Sequence, residues 1–268
     1  MNILDQIVEH KRKEVEENKN RFPVKLLEKS DYFESPTVSL KKYVLSEDKS
    51  GIIAEFKRKS PSKGIINHAV SSEQISVGYV RAGASALSVL TDKHFFGGSN
   101  EDLIMARKFN SCPILRKDFV IDEYQIIEAK SIGADAILLI AAVLAAEKVK
   151  TLAAFAHALG LEVLLEVHDE AEVRDNIYTQ ADLIGVNNRN LKTFEVSIET
   201  SKRLSGLIPE GIVKVSESGI EEPHTLVELK KFGFRGFLIG QKFMQEIHPE
   251  KACKEFIDAL RKFELKTT

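Results

Sequence analysis

Five short apolar runs in this chain lead into groups that can move protons. Glu55 and Lys57 end "IIAEFK", Lys117 ends "CPILRK", Glu166 ends "LEVLLEV", Asn187 ends "DLIGVNN" and Glu217 lies in "GIVKVSES". Side chains alternate across a strand, so Glu55 and Lys57 leave "IIAEFK" on one side. A buried charge is costly unless it is paired or used. Ammonium and carboxylate groups in a partly dry cleft suit general acid and base work, because burial and opposite charge shift their pKa values. A salt-bridge layer closing a surface would use the same residue types, but it does not require them at five strand ends together.

The elements that must position these groups recur along the chain. Apolar runs span 52–57, 86–91, 112–117, 135–141, 161–167, 182–188, 211–218 and 235–240. Between them lie helical patterns such as "SSEQISVGYVRAG", "DEYQIIEAKSIG" and "EPHTLVELKKFG", with apolar residues at spacings of three and four and a closing Gly. Eight strand-helix units predict a parallel α/β fold, the (β/α)8 barrel, in which strand C-termini build the site. A doubly wound open sheet is the alternative, but no G-x-G-x-x-G follows the first strand. Residues 1–50 precede the repeat. "ILDQIVEHKRKEVEE" predicts an amphipathic helix with Ile3, Leu4, Ile7, Val8 and Val15 on one side, and the basic run within it reads as a solvated face. The chain is therefore expected to form a single barrel domain over 1–268, with 1–50 as an N-terminal helical cap.

Composition narrows the function. Acidic and basic residues nearly balance, with a formal net charge of −2, so no basic footprint for nucleic acid is present. No run approaches the roughly 18 apolar residues of a membrane span, and the N-terminus lacks signal-peptide character. Cys112 and Cys253 lack metal-ligand spacing and read as buried thiols of a cytoplasmic protein. No metal cluster and no Ser-His-Asp elbow is found, so neither metal nor cofactor is expected.

Further groups sit beside the strand ends. Ser218-Gly219 and Ile239-Gly240 follow the last two strands, where barrels of this class hold phosphates, and Ser60 follows the first. Phe96 and Phe119 are loop aromatics able to pack a loop or line an aryl pocket. His168, in "EVHDEAEV", opens a helix and is taken as structural.

The segments "EFKRKSPS", "LRKDF", "GVNNRNL" and "SESGI", within a match over nearly the whole chain, resemble indole-3-glycerol-phosphate synthases. The resemblance implies a carboxy-lyase of tryptophan biosynthesis. It would close the indole ring of 1-(2-carboxyphenylamino)-1-deoxyribulose 5-phosphate with loss of carbon dioxide and water, without metal or cofactor. It implies Lys117 as general acid, and Lys57 as holder of the substrate carboxylate and a second donor. Glu55 would position a lysine, and Glu166 would be base or electrostatic partner. Asn187 and Glu217 would orient hydroxyls and lysines, with Ser218 a further catalytic position. Arg189 would meet the carboxylate. Ser60, Gly219, Gly240 and the Gln241 backbone would hold the phosphate, and Phe96, Phe119 and Leu191 would sandwich the ring. Gln241-Lys242 departs from the small residues of many relatives, which backbone donors would survive. A phosphorylated small-molecule substrate is the expected partner, with no nucleic acid, no membrane and a monomeric chain. A Schiff-base aldolase and a phosphate-ligand sensor are the competing readings.

Overall fold

The computed structural model describes residues 3–68, 70–191 and 193–267; residues 1, 2, 69, 192 and 268 of the expected 1–268 domain lie outside them. Eight parallel strands close a barrel: β1 (Ile52–Phe56), β2 (Ala86–Leu90), β3 (Ile114–Lys117), β4 (Ala136–Ile140), β5 (Glu162–Val167), β6 (Leu183–Asn187), β7 (Val213–Glu217) and β8 (Phe234–Ile239). Each strand pairs with its neighbours in sequence. Closure comes from β1, which pairs with β2 through Glu55 and Ser88 and with β8 through Ala54 and Ile239. The open-sheet alternative is thereby ruled out.

The strands read as continuous apolar runs because both of their faces are covered. Outward side chains such as Ile52, Ala54, Leu87 and Val89 pack under the helices, while Ile53, Leu115, Leu164, Val215 and Leu238 fill the lumen. Helix starts are capped locally. Asp122 and Gln125 form a capping box before the helix Glu123–Ser131, and Asp169 accepts from the Glu172 N–H at the start of Glu170–Asn176. Gly83, at φ 103°, ends the helix Ser72–Ala82 in a left-handed conformation that other residues rarely adopt.

Before β1 lie helix α1 (Ile3–Arg21) and two short helices, Val24–Leu27 and Leu40–Leu45. The solvated-face reading of the basic run in α1 is overturned at Lys11, which is fully buried. Its ammonium lies 3.0 Å from both Asp92 Oδ2 and Asp118 Oδ1, and 2.8 Å from Glu14 Oε1. Asp118 also accepts from the Thr91 hydroxyl and meets Arg116, which pairs with Glu128. This cluster fastens α1 to the loop after β2 and to the end of β3.

Candidate active site

Strand alternation explains how charges come to stand inside the barrel. Ile53, Leu115, Leu164 and Val215 form one buried layer in the lumen, contributed by alternate strands. Two residues further along the same strands are Glu55, Lys117, Glu166 and Glu217. The charged quartet is therefore the next layer up, where the lumen opens at the strand C-termini. On β6, Asn187 stands in register with Glu217, and Gly185 below it leaves room for the Glu217 side chain.

Above this layer lies a cavity of about 180 Å³. Every residue singled out as a site candidate from the sequence lines it, including Ser60, Phe96, Phe119, Arg189, Leu191, Ser218, Gly219, Gly240 and Gln241. The α1 residues Ile3, Leu4 and Ile7 line it as well. Their apolar stripe is visible in the sequence, but this destination is not. The Phe96 and Phe119 rings stand 5.9 Å apart at 38°, an apolar wall beside the charged floor. Ser218, at φ 67°, and Gly219, at φ 74°, are both left-handed and turn the chain sharply after β7. A non-glycine residue held there marks a site where strain is tolerated. Gly240 is required by packing, since a Cβ there would stand 2.6 Å from Glu55 Oε1 and 2.9 Å from its Cβ.

The two lysines are paired separately. Lys57 Nζ donates to Glu55 Oε1 at 2.6 Å. Lys117 Nζ donates to Glu166 Oε2 at 2.9 Å and lies 3.6 Å from Glu217 Oε2. Of the two lysines that Glu55 could position, Lys57 and Lys117, it pairs with Lys57, which shares its strand face. Burial opposes the Lys117 charge, but Glu166, Glu217 and Glu55 outweigh it and hold the amine well above its ordinary pKa. Burial likewise opposes the Glu166 charge, and Lys117 with His168 outweighs it, leaving this carboxyl below the usual range. Glu217 goes the other way. Burial, reinforced by Glu166 and Glu55 against the pull of Lys117, pushes it up to about 7. Its Oε1 is buried without a hydrogen-bond partner.

His168, read from the sequence as structural, reaches the edge of this layer, with Nε2 3.2 Å from Glu166 Oε1. The signal was the i, i+2 spacing from Glu166, which puts both on one strand face. Among the described residues no group of three His, Cys, Asp or Glu is arranged to hold a metal ion.

Residues 4–256 match the family of indole-3-glycerol phosphate synthase. The chain belongs to that family. An indole-3-glycerol phosphate synthase from Bacteroides thetaiotaomicron is 49% identical over 97% of this chain and 99% of its own length. One from Caldanaerobacter subterraneus is 43% identical, with the same coverage of both chains. A solved structure titled "Native KDPGal structure" shares the fold alone, with a TM-score of 0.59 at 15% identity over 82% of this chain and 97% of that one. The family's enzymes are decarboxylating lyases of tryptophan biosynthesis, and this chain carries that activity.

Proposed function

We propose that this cavity holds 1-(2-carboxyphenylamino)-1-deoxyribulose 5-phosphate and that Lys117 is the proton donor in ring closure. The supporting observation is the lumen layer of Glu55, Lys117, Glu166 and Glu217 opening onto a cavity walled by Phe96 and Phe119. The aryl ring lies against these phenylalanines and Leu191. Its carboxylate faces Lys57 and Arg189. The phosphate meets Ser60, Gly219, Gly240 and the Gln241 backbone.

The carboxylate-bearing aryl carbon attacks the ketone carbon, forming the new C–C bond. Ketone π electrons move onto oxygen, which takes a proton from the Lys117 ammonium. An amine held so firmly protonated is a weak acid towards a ketone. It gives up its proton as the oxygen becomes an alkoxide, the point where its field counts most. Cleavage of the C–CO2 bond returns its electron pair to the ring. Loss of the new hydroxyl as water, with a proton from Lys57 and transfer of a carbon-bound proton to a carboxylate of the lumen layer, completes the indole. Glu166 serves as base or counter-charge, and Glu217, Asn187 and Ser218 orient lysines and hydroxyls. A protonated Lys117 is no nucleophile, which disfavours a Schiff-base aldolase.

We place the protein in the cytoplasm as a monomer. Its cysteines are free and buried, which fits a reducing compartment, and among the described residues no helix is long and apolar enough to cross a membrane. The test is to give the purified protein the carboxyphenylamino-deoxyribulose phosphate and follow indole absorbance and fluorescence. Indole formation is expected. Substrate trapped on a lysine by borohydride, without indole formation, would overturn the assignment.

A further inference from the structure

His168 lies outside the cavity lining yet contacts the carboxylate at its centre. Its Nδ1 hydrogen-bonds Glu172 Oε2 at 3.1 Å, on the helix that follows β5, while its Nε2 lies 3.2 Å from Glu166 Oε1, within ion-pair range but not aligned as a hydrogen bond. The same Glu172 oxygen accepts from the His168 backbone N–H at 2.7 Å, so the ring is anchored from behind. A neutral imidazole carries one N–H and one lone pair. In either tautomer, a nitrogen bearing a lone pair would lie within 3.2 Å of a carboxylate oxygen. Only the imidazolium, with its charge shared over both nitrogens, makes both contacts attractive.

The consequence falls on Glu166. Its Oε2 accepts from Lys117 at 2.9 Å, and its Oε1 accepts from the Asn187 amide at 3.1 Å beside the His168 ring. Both oxygens are occupied, with a cation on each side. We infer that His168 is a positioning residue: as an imidazolium held by Glu172, it fixes Glu166 as a permanent counter-charge to Lys117 rather than as the base of the reaction. The inference rests on the reading of the barrel mouth as the ring-closing site, and it decides between the two roles left for Glu166 there.

The charged groups facing the ring are Glu166 from β5, Glu172 from its helix and, at longer range, Glu217 from β7. Burial favours the neutral ring, but Glu166 and Glu172 prevail and push it up from 6.5 to about 10. Its ion pairs therefore stabilise the fold fully below pH 6.5 and fade as pH rises toward 10.

The test combines kinetics with an imidazole titration. His168→Gln keeps a hydrogen-bond donor but removes the charge. We expect kcat to fall roughly 10- to 100-fold, the scale of a displaced catalytic group, with KM nearly unchanged. The acid limb of the kcat profile should move to higher pH, because Glu166 loses a cation and binds protons more readily. In the wild-type protein, heteronuclear NMR should show the His168 ring protonated through pH 8, with Glu172→Gln lowering its midpoint. A ring titrating near 6.5, or an unchanged kcat in His168→Gln, would overturn the inference. Glu166→Gln separates the two levels. If it turns over like wild type, the reading of the mouth fails; if it is impaired while His168→Gln is not, only this inference fails.

Discussion

Lys11 and Lys117 are both buried among carboxylates, on opposite sides of the end of β3. Lys11 is sealed, with Asp92, Asp118 and Glu14 all within 3.0 Å and no exposed surface. Lys117 is 15% exposed, faces a cavity, and has one near partner at 2.9 Å and another at 3.6 Å. Next to it, Glu217 Oε1 has no hydrogen-bond partner. The residue types match, so type alone does not separate a clasp from a catalyst. What differs is access: Lys117 faces a cavity, whereas Lys11 is closed off on every side. The sealed cluster fixes α1 and the Asp118 turn, and the open one is left with something to do.

The largest expected effect is on turnover. Lys117→Met keeps the apolar stem and removes the donor, so kcat should fall about 100- to 10,000-fold with little change in KM. Lys117→Arg should not rescue it, since a guanidinium stays protonated and is a poor acid. Steady-state kinetics decide this. If Lys117→Met keeps more than about a tenth of wild-type turnover, below the contribution of such an acid, Lys57 becomes the leading donor.

Lys11→Met should act on stability. Removing Lys11 leaves Asp92 without its cation and Asp118 with Arg116 alone, and breaking a buried pair in this way costs about 3–5 kcal/mol. Urea unfolding at pH 7 measures it. A loss below about 1 kcal/mol, the scale of a surface pair, would show that the clasp is not needed.

Gly240→Ala comes next. Its Cβ must displace Glu55, whose Oε1 would lie 2.6 Å away, and with it the pairing to Lys57. Overpacking of this kind costs about 1–3 kcal/mol, and kcat should fall alongside. Wild-type stability and kinetics together would show that Glu55 moves freely.

The smallest effect is a pH dependence. Glu217 has a folded-state pKa raised by burial to about 7 from 4.5. Its ionisation therefore costs stability as pH rises through that range, and the cost is absent below it. Glu217→Gln should be more stable than wild type at pH 8, where the buried carboxylate is ionised, and nearly equal at pH 4.5. Thermal unfolding at the two pH values measures this, and a difference independent of pH would contradict it.

Much of this was legible in the sequence because strand alternation is strict. Glu55, Lys117, Glu166 and Glu217 each follow a lumen residue by two positions, so one rule carried all four into the mouth. Lys11 was missed although Ile7, Lys11 and Val15 share one helical stripe. A lysine there reads as solvated until its partners appear, and Asp92 and Asp118 lie far along the chain. The apolar ends of α1 gave no sign of reaching the cavity, and Gly240 gave none of its contact with Glu55. Both are tertiary contacts between elements that no local pattern links. His168 was within reach, but its place at a helix start favoured the structural reading over its i, i+2 relation to Glu166.

The comparison between the two lysines is tested most directly by single-turnover indole formation in Lys117→Met and Lys11→Met, measured side by side at a temperature where both are folded. Lys11→Met should lose less than the roughly 100-fold that a misplaced catalytic group can cost. Lys117→Met should fall at least about 100-fold below wild type. Equal losses in the two variants, or a larger loss in Lys11→Met, would contradict it.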